Sequence, residues 1–377
     1  MKIVLKFTIL AILISSFISC KLTRFAVHNS ANIDDYKVFK TRKINNTETK
    51  FNFKKANEIK PFDTLSYTFK NSKKEYHKKE GFEKILEDNS TVAFIVVRND
   101  SLIYEKYFNK YNRDSKVNSF STAKSILSLL IGCAIDDGII NSIDDKVIKY
   151  IPELKENGFG EIKIKNLLQM NSGIDFKEVY SAFTDAGNLY YGRDLIKELK
   201  KLKIKYPVGT KFHYSSGDSQ ILGLVLTRAL NDISLSTYLE NRIWKPLGMD
   251  YSASWSLDDK GLEKAFCCIN ASAIDFAKIG RLYLNNGNWN GTQIVSKNWI
   301  EKTIEYDESI KINPEKYFYN YNWYLNPNGT FYTEGFKGQH IYVDKASNLV
   351  IVRLGEKFGE MNWPTFFEQL SKDYKLK

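Results

Sequence analysis

Ser121 and Lys124 stand three residues apart at the head of an apolar run, Ser119-Phe-Ser-Thr-Ala-Lys-Ser-Ile-Leu-Ser-Leu-Leu-Ile-Gly-Cys-Ala. Residues at i and i+3 share a helix face, so helical winding sets the Lys124 amine beside the Ser121 hydroxyl. Ile126, Leu127, Leu129, Leu130, Ile131, Ala134 and Ile135 leave almost no polar face, which is the pattern of a buried helix. Burial disfavours a charged lysine and lowers its pKa, turning a spectator cation into a base for the serine. Moving that pKa from about 10.4 to near 7 costs the charged form roughly 4 to 5 kcal/mol, within what buried lysines show. In the first turn Ser121 also meets free backbone N–H groups and the positive end of the helix dipole. An S-x-x-K arises by chance in a chain rich in both residues. What sets this one apart is its position opening a buried helix, where an unpaired lysine is expensive.

A serine activated in this way needs a group that passes a proton to the leaving atom, and donors for an oxyanion. Tyr214-Ser-Ser, just before a helical pattern at 220–230, can supply the first. Thr333-Glu-Gly-Phe-Lys-Gly-Gln-His is a glycine-rich approach to a strand, where backbone comes close to a ligand, and can supply the second. Each is weak by itself. Tyr214 is one of 23 tyrosines, and glycines such as Gly335 and Gly338 ordinarily mark a turn or bulge. His213 and His340 invite a Ser-His scheme, yet no G-x-S-x-G elbow presents a serine to them. Asp185 reads as a surface-loop carboxylate.

At 377 residues the chain has ample material for a core, and 43% hydrophobic and 14% aromatic residues exclude a disordered polymer. Lys2 and Lys6 precede an apolar stretch at 7–18 that is too short to span a bilayer and suits the core of a signal peptide. Ser19-Cys20 follows, so residues 1–19 resemble a lipoprotein-type signal with Cys20 as the lipidated mature N-terminus, the alternatives being an ordinary secretory signal or an uncleaved anchor. That places the protein outside the cytoplasm, in a bacterial cell envelope, held to the membrane by its lipid. The net charge of +11 is compatible with anionic surfaces, but the lysines are scattered into solvated faces and no nucleic-acid module accompanies them. Cys133, Cys267 and Cys268 form neither a disulfide framework nor a metal spacing and are expected as three core thiols. No metal and no organic cofactor is implied.

Residues 20–85 are polar and lysine-rich and read as a tether followed by a wrapping segment. Thr91-Val-Ala-Phe-Ile-Val-Val and Ser101-Leu-Ile-Tyr-Glu-Lys-Tyr-Phe flank Arg98-Asn-Asp as a hairpin. The Ser121 helix stops near Asp137-Gly138, glycine being the usual terminator. Helical patterns dominate about 138–300. Strand character returns at 338–344 and 348–354, joined by a turn at 344–347, and an amphipathic piece at 363–374 packs on those strands. The whole is an α+β design: an antiparallel sheet from both chain ends, flanked by helices, with a large mostly helical insertion and a cleft between the lobes. The main folded domain is expected over 86–377.

The three motifs in this order resemble those of the serine β-lactamase and penicillin-binding-protein superfamily: S-x-x-K, a Tyr or Ser motif ending in Asn, and K-T-G. Further phrases resemble the class C β-lactamase-related branch of esterases and 6-aminohexanoate-dimer hydrolases. They are Ile162-Lys-Ile-Lys-Asn-Leu-Leu-Gln-Met-Asn-Ser-Gly-Ile, Pro207-Val-Gly-Thr-Lys-Phe-His-Tyr-Ser-Ser, Trp244-Lys-Pro-Leu-Gly-Met and Ala273-Ile-Asp-Phe-Ala-Lys-Ile-Gly-Arg-Leu. The resemblance implies the β-lactamase/transpeptidase-like fold, with Ser121 as the acyl-forming nucleophile, Lys124 as its base and Tyr214 sharing the proton work. It implies an oxyanion hole from the backbone N–H groups of Ser121 and Phe336, or of Gly338 or Gln339 if the alignment slips. Tyr180 matches a substrate-loop tyrosine, and Ser216, Gly335, Gly338, Gln339 and His340 are placed along the substrate.

Two departures bear on substrate. Ser216 replaces the asparagine of the second motif, and Thr333 stands where K-T-G has its lysine. Their loss argues for an ester, a small amide or an altered peptide over a β-lactam, although Lys337 can partly restore the charge. The expectation is therefore an exported serine hydrolase acting on a small or peptide-like ester or amide. The alternatives are a D,D-peptidase or weak β-lactamase, and an inactive peptide-binding lipoprotein.

Overall fold

The computed structural model describes residues 30–56, 65–71, 74–181, 183–231, 233–306 and 318–375, with backbone alone for 65–71 and 74–80. The expected signal and Cys20 lie outside the described residues. The frame is an eight-stranded sheet built from β1 (Lys54–Lys55), β2 (Thr91–Arg98), β3 (Ser101–Tyr107), β4 (Phe318–Asn320), β5 (Trp323–Leu325), β6 (Phe331–Tyr332), β7 (His340–Asp344) and β8 (Leu349–Gly355). Its spatial order is β4-β5-β6-β7-β8-β2-β3-β1, antiparallel except where β1 joins β3. The two hairpins read from the sequence meet at its centre, where β8 pairs with β2 from Leu349 opposite Arg98 to Gly355 opposite Thr91.

Alternation along β2 explains why the sheet is covered on both sides. Ile95 and Val97 point into the larger core, while Phe94 and Val96 join Phe82, Tyr104, Trp363, Phe366 and Phe367 on the opposite face. That second face is covered by α1 (Phe82–Asp88) and the C-terminal helix α5 (Trp363–Lys375). On the first face lie α2 (Thr122–Asp136), α3 (Ser216–Ala229) and α4 (Ala273–Leu284). Gly280 of α4 packs so tightly that a Cβ there would sit 2.5 Å from Val350 Cγ1.

Helix α2 is buried at every position from Thr122 to Ala134. Ile126, Leu127, Leu129, Leu130 and Ile131 are fully enclosed, and such side chains contribute roughly 1.5–3 kcal/mol each. Their sum exceeds the cost of desolvating one lysine, so this helix can carry Lys124 inside.

The span 138–300 is mostly helical, as expected, and two short strands within it join a four-stranded antiparallel sheet in the order Thr41–Ile44, Ala253–Ser256, Ile269–Ala271, Val117–Asn118. Strands of two to four residues leave no alternation to read, and one of them is lent by the N-terminal segment. Residues 30–56 are thus part of the folded body, with Ala31 and Ile33 in the core, and Asn118 N–H donates to the Ile33 carbonyl. Of the three cysteines expected as thiols, only Cys133 is free; Cys267 and Cys268 are joined to each other, where Cys268 takes a left-handed φ of 74°.

Candidate active site

The small sheet delivers the chain to the serine. Asn118 ends its edge strand, the Ile269 N–H donates to Ser119 Oγ, and the Asn118 side chain accepts from the Phe120 N–H at 2.9 Å. These contacts hold Phe120 at a φ of +43°, a conformation that costs a bulky residue of order 1–3 kcal/mol and persists only where surroundings enforce it. Ser121 follows as the N-cap of α2 and lies at the floor of a cleft.

Lys124 is 1% exposed, and its Nζ lies 3.0 Å from Ser121 Oγ, 3.1 Å from Ser216 Oγ and 2.8 Å from the Phe266 carbonyl. Burial pulls its pKa from 10.5 down to about 8, opposed in part by the negative charge of Glu178. The partners define what a neutral amine does here. The Phe266 carbonyl can only accept. Ser216 gives its hydroxyl proton to Glu178 Oε1 at 2.6 Å, so its oxygen also accepts from Lys124. With both N–H bonds so committed, the nitrogen lone pair is left for the Ser121 hydroxyl.

Glu178 was not singled out from the sequence. Its carboxylate takes the Ser216 N–H at 2.7 Å as well as the hydroxyl. A lone glutamate on a loop of no fixed pattern carries no signal that separates it from other surface acids. Helix α3 sets Ser216 in place: Ser215 is its N-cap and accepts from the Asp218 N–H at 3.1 Å, while Ser172 donates to the Asp218 carboxyl at 2.7 Å.

Tyr214, just before α3, lines the cleft together with Ser121, and its ring lies 5.1 Å from Lys124 Nζ. Burial, reinforced by Tyr324, Tyr319 and Glu178, holds this phenol well above its ordinary pKa. It is therefore a neutral donor at physiological pH, suited to relaying a proton rather than to being the resident base.

The opposite wall is the segment between β6 and β7. Thr333, in the slot where the resemblance has a lysine, turns inward: its Oγ1 is 3.1 Å from Thr122 Oγ1 and accepts from the Ile341 N–H at 2.9 Å. Thr122 in turn donates to the Gln339 carbonyl at 3.1 Å. Gly335 lies so close to the serine loop that a Cβ would fall 2.5 Å from the Ser119 carbonyl oxygen. This brings the Phe336 backbone to the cleft beside Ser121. Among the described residues the N–H groups of Ser121 and Phe336 have no acceptor within the chain. The slipped alignments are disfavoured, because the N–H groups of Gly338 and Gln339 both donate to the Gly335 carbonyl in closing a turn.

The cleft holds about 730 Å³ and is lined by Ser121, Glu178, Val179, Tyr180, Tyr214, Tyr324, Glu334, Gly335, Phe336, Lys337, Lys357 and Phe358, a size that suits a small organic ligand. Tyr180 stacks on Phe336 with ring centroids 5.6 Å apart, and Asp185 holds its loop by accepting from the Lys177 N–H.

Four residues expected along the substrate lie elsewhere. Ser216 is behind Lys124 and engaged with Glu178. Gly338 packs on Arg353, and the Gln339 side chain is spent on both backbone groups of Gly355. His340 is fully buried among Tyr332, Phe358 and Phe367, hydrogen-bonded to the Thr333 carbonyl and held neutral by a pKa pushed down to about 3. The tight turn closed on the Gly335 carbonyl sends Gly338 and the Gln339 and His340 side chains away from the cleft, which a one-residue uncertainty in register hides in the sequence.

A fold with an S-x-x-K serine at a helix N-terminus, facing a sheet edge across a cleft, defines a class, and the family model described as Beta-lactamase matches residues 82–363. The chain belongs to the beta-lactamase family, and it is a serine hydrolase. Among curated proteins, the 6-aminohexanoate-dimer hydrolase of Paenarthrobacter ureafaciens is 26% identical over 308 residues, 75% of each chain. Among solved structures, a Bacillus anthracis protein provisionally assigned as a 6-aminohexanoate-dimer hydrolase superposes with a TM-score of 0.80 at 26% identity, covering 91% of this chain and 92% of that one. The octameric penicillin-binding protein homologue of Pyrococcus abyssi, 21% identical with a TM-score of 0.57 over 73% and 71% of the two chains, shares the fold.

The base assignment has a pH signature. A catalyst that needs neutral Lys124 should show kcat/KM rising about tenfold per pH unit below 8 and levelling above it. Because the Glu178 charge favours the ammonium form, Glu178→Gln should move that limb to lower pH. A steady-state profile on a neutral ester reads both effects, and a limb that stays in place in the variant contradicts the coupling.

Proposed function

We propose that this protein is an exported hydrolase that cleaves an ester or small amide through an acyl-enzyme on Ser121. The observation that carries this reading is the hydrogen-bond set of Lys124, which leaves a lone pair for the serine proton. As Ser121 Oγ attacks the substrate carbonyl, its proton passes to Lys124 and the carbonyl electrons move onto oxygen. The backbone N–H groups of Ser121 and Phe336 stabilise that oxyanion. Tyr214 gives its proton to the leaving oxygen or nitrogen and is reprotonated from Lys124, and the carbon–leaving-group bond breaks. Water then attacks the acyl ester by the same route in reverse, releasing the acid and restoring the Ser121 hydroxyl.

The relatives support the amide or ester chemistry, and the apolar rim of Val179, Phe336 and Phe358, each exposed, supports an apolar acyl arm. With Thr333 turned inward, the wall lacks the lysine that would hold a β-lactam carboxylate. The positively charged, apolar N-terminus ending at Cys20 supports export and lipid anchoring. The test is intact-mass analysis after a fluorophosphonate probe, with turnover of short p-nitrophenyl esters compared with a chromogenic cephalosporin. A single adduct mapped to Ser121 and a preference for the esters is the expected result. Folded protein that takes no adduct overturns the reading in favour of an inactive binding protein; preference for the cephalosporin overturns the substrate class.

A further inference from the structure

Every carbonyl of the turn from Gly335 to Gln339 is taken by a donor from inside the protein. The Gly335 oxygen accepts from the Gly338 and Gln339 N–H groups at 2.9 and 3.1 Å, and the Gln339 oxygen from Thr122. The Phe336 oxygen accepts from Gln339 Nε2 at 3.2 Å, and those of Lys337 and Gly338 from Arg353 at 3.1 and 2.7 Å. Backbone oxygens that would repel a developing anion are thereby drawn away from it. The Phe336 N–H belongs to the same peptide unit as the Gly335 oxygen, so the two bonds to that oxygen fix its plane and polarise it towards donating. Arg353, on β8, is fully buried with its guanidinium 3.9 Å from the Trp363 ring. Its other donors go to Thr91 Oγ1 at 3.1 Å and to the Asn89 and Lys357 carbonyls at 2.6 and 3.1 Å. All five N–H groups are used, yet among the described residues none of these partners is a carboxylate. A guanidinium buried without a counter-ion is unfavourable, and an apolar side chain of that size would fill the space more easily. Its presence beside the oxyanion turn points past stability.

We propose that Arg353 and Gln339 are positioning residues of the oxyanion hole, their side chains holding the peptide planes of the turn so that the Phe336 N–H meets the charge developing on the substrate oxygen. This rests on the hydrolase reading and adds to it two residues that never touch substrate. Arg353 acts through the Lys337 and Gly338 carbonyls, and Gln339 through the Phe336 carbonyl. Gly355 braces the second of them: Gln339 Nε2 donates to its carbonyl at 2.7 Å, and its N–H donates to Gln339 Oε1 at 3.0 Å.

Two inhibitors built on one acyl chain form the test: an alkylboronic acid, and the ether analogue of the p-nitrophenyl ester, which has no carbonyl. Ser121 Oγ adds to the boron and its proton passes to Lys124, leaving a tetrahedral boronate with an oxygen in the oxyanion hole; the ether binds without using the hole. In Arg353→Met kcat/KM on the ester should fall by about 10²-fold, as for a misplacement near 1 Å. In Gln339→Met the fall should be roughly tenfold, the loss of one hydrogen bond. Arg353→Lys keeps the charge but reaches fewer carbonyls, and should lie between wild type and Arg353→Met. In each variant the boronic acid should weaken by the same factor as kcat/KM, while the ether keeps its wild-type affinity. Boronic acid and ether weakened alike mark a merely structural role and overturn the proposal. So does a boronic acid that binds the folded variants as tightly as the wild type, and either outcome leaves the hydrolase reading standing. If Arg353→Met does not fold, Gln339→Met and Arg353→Lys decide by the same comparison. A wild-type protein that neither turns over the ester nor takes a boronate on Ser121 overturns both.

Discussion

Replacing Lys124 with methionine is expected to lower kcat/KM on a p-nitrophenyl ester by about 10⁴-fold, the upper end of what a positioned proton-transfer group contributes. The loss should be chemical and not structural. In the folded protein the amine titrates near 8, against an ordinary 10.5, a penalty on the charged form on the order of 3 kcal/mol. The sign follows from proton binding: between about 8 and 10.5 the unfolded chain holds the proton more than the folded one, so stability rises with pH across that window. Below 8 both states are protonated and the full penalty is present. Methionine removes the penalty but leaves the Phe266 carbonyl and Ser216 hydroxyl without their donor, at about 1–3 kcal/mol each. The two changes oppose each other, and unfolding free energies from denaturant titration near neutral pH should differ by no more than about 3 kcal/mol. The rise in stability between pH 8 and 10 attributable to this site should vanish in the variant. A variant that retains a tenth of wild-type turnover would dismiss Lys124 as the base.

Gly335→Ala carries the second large effect. The added Cβ would lie 2.5 Å from the Ser119 carbonyl oxygen, and that neighbour is backbone, braced by the Ser119 and Asn118 contacts to the small sheet. The strand edge must therefore retreat, by about 1 Å, and take the Phe336 N–H with it. A displacement of that size costs around 10²-fold, and losing one oxyanion donor altogether costs about 10²–10³-fold. A fall in kcat of about 10² to 10³ with little change in KM is expected, since the contact is made to the developing charge and not to the ground state. The glycine lies in the connection between β6 and β7, outside the paired strands themselves, so thermal unfolding should move by only a few degrees. Wild-type kcat in this variant would relocate the oxyanion donors.

What could be read in the sequence was whatever is local and periodic. Ser121 and Lys124 are legible because i and i+3 on an apolar helix leave one geometry, and the two central hairpins because their turns separate unbroken β-prone runs. The C-terminal helix was legible from its own amphipathic pattern. Tyr214 could be singled out only through the resemblance, since a single phenol before a helix has no signature. Glu178 was invisible because its role is created by a contact across 38 residues with Ser216. Gly338, Gln339 and His340 were misplaced for a related reason: their neighbours along the chain do reach the cleft, and a tight turn sends them the other way. The second sheet escaped because its four strands are short and drawn from three distant parts of the chain.

Thr122 is the first residue of the nucleophile's helix, and it is fastened to Thr333 and to the Gln339 carbonyl on the facing strand. Attacking oxygen and charge-accepting amide are thereby riveted together by bonds that bypass Val179, while the loop that bears it reaches the machinery through Glu178 on Ser216 and Tyr180 on Phe336. Such a division of labour leaves Val179 at the rim open to replacement to suit new molecules while the bond between Thr122 and the facing strand keeps the reactive geometry.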